Sequence, residues 1–387
     1  MPFVVSGWVT LRTTIVVNSL GAGGAERQAA LLANYLAESG HETTVITYKA
    51  RRSPELPDHW RLDDAVRRTS IEFGSRAPYL LRKAFGLSLI DVPRKLRSSI
   101  LGTKPDVVVS FIDKTNVMVL LSLIGTGLPI VVSERVHFPM HDIGPRWRML
   151  RRLAYPLASV LVTQTRLTAE AAAKIVPASE IRVIPNVVMN SPAPTAPVPS
   201  AWTREPTPSL RIAAVGRLTP QKGFDVLIQA LSSLVDDVPG AELVILGEGP
   251  ARQSLETLAK EVGVGERVQM PGIVLDVRPT LTDSDVFVLS SRFEGFPNAL
   301  VEAMACGLAV IATRCPSGPT EIVTDGVDGL LVPVEDPEAI ASALRLLAQD
   351  DSLRSVLGNR ARLVTKRFAP DVVFPLWDEA LKAAVGT

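Results

Sequence analysis

Short uncharged apolar runs recur along the chain, separated by helical stretches, and few of them alternate apolar with polar positions. Runs without alternation predict strands buried on both faces, and therefore a parallel sheet flanked by helices. In the first half these runs are TTIVVNS (13–19), TTVITY (43–48), PDVVVSFI (105–112), LPIVVS (128–133) and VLVTQ (160–164). A helix with apolar spacing is expected from the GAGGAER segment through Leu36, stopping near Gly40. The stretch NVVMNSPAPTAPVPSAWTREPTPS (186–209) then breaks the rhythm. Rich in proline, it can join neither a sheet nor a helix interior, and reads as a linker. Beyond it the alternation restarts with RIAAVGR (211–217), AELVILG (241–247), RVQMPG (267–272), DVFVLSS (285–291) and AVIATR (309–314). Helices are expected at about 223–235, 250–262, 298–306 and 337–348, and the segment 351–387 also reads as helical.

The pattern predicts an α/β chain of two doubly wound domains, and 387 residues are too many for one core. The expected division is an extension over 1–12, an N-terminal domain over 13–190, the linker core over 191–209 and a C-terminal domain over 210–368. A final helix over 369–387 is expected to pack back on the N-terminal domain. Open sheets of this kind bind ligands beyond the carboxyl ends of their strands.

Composition changes this picture little. Apolar residues make up 47% and charged residues 21%, ordinary for a soluble globular protein. The two cysteines, Cys306 and Cys315, form no disulfide framework and no zinc spacing, which fits a reducing cytoplasm. The first residues, MPFVVSGWVTLR, lack the basic start and small-residue site of a signal peptide. The longest uncharged run, Thr115 to Ser133, is 19 residues, long enough to span a membrane. Gly125, Gly127 and Pro129 break it where a helix should hand over to a strand.

Charge is more informative. The net charge is +1, but residues 1–185 hold 24 Lys and Arg against 15 Asp and Glu, and the remainder holds 17 against 25. A basic first half suggests that it faces something anionic. Its cations cluster in RAPYLLRKAFGLSLIDVPRKLR (76–97) and RWRMLRR (146–152), mixed with aromatic and aliphatic residues. That mixture suits a helix lying on an anionic membrane, and equally a solvated basic face.

Four loops carry candidate chemistry. In GAGGAERQAA (21–30), Gly21, Gly23 and Gly24 let the backbone turn tightly before a helix whose free N–H groups attract anions. The segment is not GxGxxG, and the strand ending near Tyr48 runs into Lys49, Arg51 and Arg52 rather than a ribose-binding acid. A dinucleotide site is therefore disfavoured, and a plain structural turn stays open. In VGRLTPQKGFDVLIQA (215–230), Arg217 and Lys222 share one strand-to-helix loop with Gly216. Two cations there can clamp a diphosphate beside a helix N-terminus, or be solvated loop charges. In FEGFPNALVEAMACG (293–307), Glu294 sits in a loop with Gly295 and Pro297, and Glu302 lies inside a short apolar helix, one turn after Asn298. Carboxylates suit sugar hydroxyls because each accepts two hydrogen bonds. In CPSGPTEIVTDGVDGLLVP (315–333), Ser317, Gly318 and Thr320 lead into a helix start, and DGVDGLLVP reads as a turn into a short strand.

Taken together these segments resemble glycosyltransferase family 4, the retaining enzymes of the GT-B fold. The resemblance runs from Thr13 onward through GGAER, GRLTPQKGFDVLIQA, LGEGP (247–251), the two glutamates eight positions apart and DGVDGLLVP. SFIDKTNVMVLLSLIGTGLPIVVSER and CPSGPTEIVTDGVDGLLVP look like the branch that extends glycans on polyprenyl diphosphate carriers. The resemblance implies two Rossmann-like domains facing across a cleft, a nucleotide-sugar donor (usually UDP in this branch, with GDP as the alternative), and no metal. It implies Arg217 and Lys222 on the donor diphosphate, Glu294 on the transferred sugar and Glu302 on the ribose. Gly216, Gly295, Phe296, Pro297 and Asn298 would line the donor pocket, and Gly23 and Gly24 would lie where acceptor meets donor. Many relatives carry a histidine after the strand that here reads IVVSER; Glu134 takes that place, with His137 nearby, so Glu134 becomes the candidate acceptor-side group.

The implied reaction is retaining sugar transfer to a glycan acceptor, with Arg217, Lys222 and the helix N-terminus stabilising the departing diphosphate. Nothing identifies a carboxylate nucleophile, which favours front-face attack. The DSD at Asp283 to Asp285 abuts a strand and reads as helix-end and strand-start acids rather than as a metal motif. The expected location is the cytoplasm, with peripheral contact to the inner membrane face. Other readings are an epimerase or hydrolase of the same architecture, or a two-lobed sugar-binding protein without catalysis; no nucleic-acid motif supports the basic half as an RNA or DNA binder.

Overall fold

The computed structural model describes residues 10–21, 23–50, 58–73, 88–177, 180–189, 200–202, 210–274 and 276–386. They fall into two compact units, Met1–Val187 with Asp371–Thr387, and Val188–Pro370.

The first unit holds seven strands: β1 (Arg12–Val16), β2 (Glu42–Ala50), β3 (Arg67–Phe73), β4 (Val107–Phe111), β5 (Ile130–Ser133), β6 (Val160–Thr163) and β7 (Ile181–Val183). They pair in parallel in the order β3-β2-β1-β4-β5-β6-β7. The chain winds outward through β2 and β3, then crosses back over β1 to start again at β4. β4, β5 and β6 are buried along their whole length, the state that uninterrupted apolar runs predict. β3 and β7 were not visible as apolar runs. β3 reads RRTSIEF and is exposed along most of its length, and β7 is only three residues long. Both lie at sheet edges, where charge and shortness protect an unpaired rim.

Between strands, the helix Gly24–Glu38 turns Leu32 and Leu36 into the core, and Ser88–Gly102 does the same with Leu96 and Ile100. Each pair is spaced one turn apart, so one apolar stripe faces the sheet. Of the basic segment 76–97, residues 76–87 lie outside the described residues, and Arg94 and Lys95 are exposed. The uncharged run Thr115–Ser133 divides as expected. A helix ends at Ser122, Gly125 and Gly127 take left-handed φ values of 76° and 71°, and β5 begins at Ile130. Among the described residues no helix is long and apolar enough to cross a membrane.

The second unit repeats the design with β8 (Leu210–Val215), β9 (Ala241–Leu246), β10 (Val268–Gly272), β11 (Val286–Leu289), β12 (Ala309–Thr313) and β13 (Leu330–Val332). All are parallel, in the order β10-β9-β8-β11-β12-β13. The order reverses between β8 and β11, as it does between β1 and β4. The helices Phe224–Leu234 and Pro337–Gln349 pack Leu227, Leu231, Ile340 and Leu344 against this sheet. Of the DSD acids, Asp285 ties together the starts of the central strands β8 and β11, its carboxylate accepting the Arg211 backbone N–H at 2.7 Å. Residues 200–202 are tied to the second unit through Trp202, whose indole N–H donates to Ser284 at 3.0 Å.

The segment 351–387 forms three helices, Asp351–Ala361, Val364–Arg367 and Pro370–Val385. From Asp371 onward the last one belongs to the first unit. Its Phe374 stacks on Tyr35 at 4.1 Å, its Trp377 lies 5.8 Å from Phe111, and the Tyr35 hydroxyl donates to Asp378 Oδ2 at 2.6 Å. Tyr35 and Asp378 are both buried. Tyr35→Phe strips a buried carboxyl of its donor, so unfolding in urea should show a loss of about 1–3 kcal/mol. A second change, Asp378→Asn, should recover part of it.

Candidate active site

In the second unit the strand order reverses between β8 and β11, and the carboxyl ends of strands at such a point are the place at which these sheets hold ligands. After β8 come Gly216 and Arg217, a short turn Pro220–Lys222, and Gly223 before the helix Phe224–Leu234. Gly223 has φ +62°, and a Cβ there would lie 2.1 Å from the Ser290 carbonyl oxygen. Only glycine lets this turn touch the end of β11. Gly247, at φ +146°, is equally constrained, because a Cβ would meet the Gly216 carbonyl at 1.9 Å. The loops after β8, β9 and β11 are thus drawn together backbone to backbone.

This contact brings Lys222 onto Glu294. The Lys222 Nζ lies 2.6 Å from Glu294 Oε1, and the Ser291 hydroxyl donates to the same oxygen at 2.6 Å. The lysine stem runs back over Gly216, whose would-be Cβ lies 3.1 Å from Lys222 Cε. Glu294 is only 5% exposed. A buried carboxylate with one cation and one hydroxyl retains accepting capacity for a further donor.

Arg292 holds the frame around the pair. Its guanidinium grips Asp225 with two bonds of 2.7 and 2.9 Å, and also binds Glu335 and the Pro220 carbonyl. Its backbone N–H donates to the Gln221 carbonyl at 2.8 Å, and the Gln221 side chain returns a bond to the Phe293 carbonyl at 2.9 Å. The lysine loop and the glutamate loop are therefore laced together on both sides. Sequence reading missed Arg292, and no local signal marks it, because Asp225 and Glu335 are 67 and 43 positions away.

Beyond Glu294, Gly295 accepts the Ser317 hydroxyl at 3.2 Å, and Pro297 packs against Gly318. Ser317 takes a left-handed φ of 66°, a strained choice for serine that this bond helps to hold. Phe296 is buried edge-on against Phe368 at 5.2 Å. Asn298 begins the helix Asn298–Cys306, and Glu302 follows one turn later, half-buried. Glu302 adds to the field holding the Arg278 guanidinium charged, although Asp276 at 2.7 Å is the main partner. Arg217 is exposed, with no side-chain hydrogen bond or ion pair among the described residues. The structure thus joins Lys222, Glu294 and Gly216 directly, leaves Arg217 reaching into solvent, and turns Glu302 toward Arg278.

In the first unit, Gly23 caps the helix Gly24–Glu38 and its carbonyl accepts the Trp60 indole N–H at 3.3 Å. The Glu26 carboxylate folds back so closely that a Cβ on Gly23 would lie 2.0 Å from it. Glu134 follows β5 and is 1% exposed. Its Oε2 accepts the Tyr155 hydroxyl at 2.5 Å, and Oε1 accepts the Arg135 N–H at 3.2 Å. Burial, and then the nearby Asp113 carboxylate, push the Glu134 carboxyl up to about 7. His137 is buried against the Thr168 hydroxyl at 3.1 Å, and burial lowers its pKa. Both side chains are buried, so Glu134 is not an open acceptor-side group. The reading of the sequence overlooked Asp113 and His141, which pair at 3.0 Å, with 4% and 38% of the side chains exposed.

Two all-parallel, doubly wound units are the architecture of the GT-B class of glycosyltransferases. The chain belongs to glycosyltransferase family 4: residues 22–189 match "Glycosyltransferase Family 4" and residues 202–364 match "Glycosyl transferases group 1". It is 31% identical over 339 residues to the lipopolysaccharide core biosynthesis glycosyltransferase LpsE of Rhizobium meliloti, covering 87% of this chain and 89% of that one. It is 29% identical over 363 residues to an α-1,4-N-acetyl-D-galactosaminyltransferase of Campylobacter jejuni, named for a diphospho-undecaprenol-linked glycan, with 92% and 94% covered. Among solved structures, HepE of Anabaena in complex with UDP and glucose superposes with TM-score 0.77 at 18% identity, covering 96% of this chain and 99% of that one.

The raised Glu134 carboxyl makes stability depend on pH. The folded chain keeps a proton that the unfolded chain releases between the ordinary carboxyl value of 4.5 and about 7. The unfolded state then binds fewer protons, so stability falls as pH rises through that window. Glu134→Gln should remove this slope. The melting temperature of the variant relative to wild type should therefore climb from pH 5 to pH 7.5, and a difference that stays flat would show that Glu134 is charged in the fold.

Proposed function

We propose that this protein is a retaining, metal-independent glycosyltransferase that moves a sugar from a UDP-sugar to a glycan acceptor carried on polyprenyl diphosphate. The supporting observation is the Lys222–Glu294 pair where the strand order of the second sheet reverses. In this reading the diphosphate lies beside Lys222 and Arg217, and Glu294 holds hydroxyls of the transferred sugar. Gly216, Gly295, Phe296, Pro297 and Asn298 line the pocket, and Glu302 reaches the ribose. The exposed and unpaired Arg217 is free to meet a phosphate. Lys222 offers two further N–H bonds beyond the one to Glu294. As the bond to the donor diphosphate breaks, charge builds on the departing oxygen, where both cations stabilise it. The acceptor hydroxyl bonds to the anomeric carbon on the face that the diphosphate leaves, and its proton passes to that diphosphate, so neither an enzymic nucleophile nor an enzymic base is required.

UDP, rather than GDP, is supported by the UDP complexes of HepE. The carrier is supported by the Campylobacter jejuni relative, which is named for a diphospho-undecaprenol-linked glycan. The first unit, with Gly23 and Gly24 at its glycine turn, takes the acceptor. The decisive experiment supplies purified protein with UDP-glucose, UDP-galactose, UDP-N-acetylglucosamine, UDP-N-acetylgalactosamine and GDP-mannose. Polyprenyl-diphosphate-linked disaccharides serve as acceptors, and EDTA is present throughout. Transfer with retained anomeric configuration is the expected result, whereas donor cleavage at the same rate without acceptor would favour a hydrolase. Lys222→Ala and Arg217→Ala should each slow turnover about a hundredfold, a loss of roughly 3 kcal/mol of transition-state stabilisation. Arg217 has no partner to lose, so its variant should melt like wild type.

An anionic membrane is the proposed partner of the first unit. The helix Pro145–Ala154 carries Met149 and Leu153, 60% and 65% exposed and one turn apart. Arg146, Arg148 and Arg152 are exposed on the same helix. Apolar side chains flanked by arginines bind at the headgroup layer of anionic lipid. The chain should sediment with phosphatidylcholine–phosphatidylglycerol vesicles at low salt and not with phosphatidylcholine alone. Met149→Ser combined with Leu153→Ser should release it, and sedimentation unaffected by that pair would remove this helix from the contact.

A further inference from the structure

We propose that His141, oriented by Asp113, is a substrate-touching specificity residue that accepts a hydrogen bond from a hydroxyl of the acceptor glycan. This rests on the reading of the first unit as the acceptor-binding half. The two residues come from the carboxyl ends of adjacent strands. Asp113 lies two positions after β4, and His141 lies on the loop that follows β5. β4 is also the strand that neighbours β1 where the order of the first sheet reverses, so the pair occupies the ligand-binding edge of the unit.

The arrangement has the parts of an oriented imidazole. Asp113 Oδ2 binds His141 Nδ1 at 3.0 Å, and Asp113 Oδ1 accepts the Lys114 backbone N–H at 2.6 Å. The carboxylate stays charged although it is buried, because His141, the Lys114 N–H and Arg151 outweigh the cost of desolvation. In the neutral ring, a charged acceptor on Nδ1 holds the proton there and leaves the lone pair on Nε2. Among the described residues Nε2 has no hydrogen-bond partner, and the imidazole is 38% exposed. The backbone is held for this purpose at some cost. Ile112, which precedes Asp113, takes φ 77° and ψ 137°, a conformation hostile to a β-branched residue. The loop bearing His141 is pinned on either side by His137 on Thr168 and by Asp142 accepting the Gly144 N–H at 2.9 Å.

A second observation marks the same edge as built for a polar ligand. Beyond β5 and β6, the Arg135 guanidinium and the Gln164 amide share Asn186 Oδ1 at 2.8 and 2.6 Å, all three residues buried. Arg135 Nε and Gln164 Oε1 nevertheless have no partner, and the buried hydroxyl of Ser133, at the end of β5, is likewise unmatched. Unpaired buried polar atoms are costly and call for a ligand or water. Glu134, between Ser133 and Arg135, faces inward to Tyr155, and His141 supplies the outward-facing group in its stead.

The test uses the donor and acceptor that the wild type accepts from the panel above. His141→Phe should raise the acceptor KM at least tenfold while kcat changes less than threefold and the donor KM stays unchanged, and the melting temperature should fall because buried Asp113 loses its donor. His141→Gln, which keeps an acceptor atom, should recover much of the loss. Asp113→Asn, which frees the ring to flip, should raise the acceptor KM in the same way. Acceptor kinetics within twofold of wild type in both His141 variants would overturn the assignment while leaving the transferase reading intact. A drop in kcat and melting temperature without a KM change would show a structural role and overturn it as well. A wild type that transfers to no acceptor in the panel would defeat the transferase reading itself, and this inference with it.

Discussion

A carboxylate removed from water needs a cation, and the geometry of the second unit is organised around meeting that demand at Glu294. At 5% exposure the Glu294 side chain would be strongly destabilising alone, and Lys222 at 2.6 Å makes it tolerable. The lysine reaches it only because Gly223 lets the preceding turn touch the Ser290 carbonyl, and because Arg292 ties Asp225, Glu335 and the Pro220 carbonyl into one frame. Each of these features serves the next: the strand order sets two loops side by side, glycine brings their backbones into contact, and the arginine fixes the distance at which the ion pair forms.

The first unit solves the opposite problem. Its carboxyl edge holds one acid below and one above the ordinary carboxylate range, a few residues from adjacent strand ends. Asp113 gains His141, the Lys114 N–H and the field of Arg151, and is held below the usual carboxylate range. Glu134 is pushed up to about 7 by burial and then by Asp113 itself, which outweigh a tyrosine hydroxyl, the field of Arg151 and one N–H. Two neighbouring carboxyls with displaced and opposite proton affinities divide the work. One presents an oriented imidazole outward, and the other holds the strand ends together from within through Tyr155 and Asn116.

The alternation of apolar runs and helices was legible because burial on both faces leaves a local signature. Strands such as VVVSF and AVIAT are buried along their whole length and are mostly apolar. The edges escaped the same reading for the same reason: RRTSIEF is a strand by virtue of its pairing with β2, not of its own pattern. The loops rich in glycine were visible as well, since a residue without Cβ stands out wherever backbones must approach. The candidate site was legible in part. Lys222 and Glu294 were singled out and do meet. Arg217 and Glu302 were singled out too, and the fold sends one into solvent and the other toward Arg278.

By itself the sequence determined the order and kind of the elements, the division into two α/β units and the loops that carry chemistry, because those follow from the local period of burial and from backbone freedom. Only the tertiary structure decided which of those loops touch. Lys222 and Glu294 are 72 positions apart, Arg292 and Glu335 are 43 apart, and Asp113 and His141 are 28 apart. Each meeting depends on which strand lies beside which. That adjacency is set by the packing of whole sheets and helices, a non-local energy that no window of residues contains.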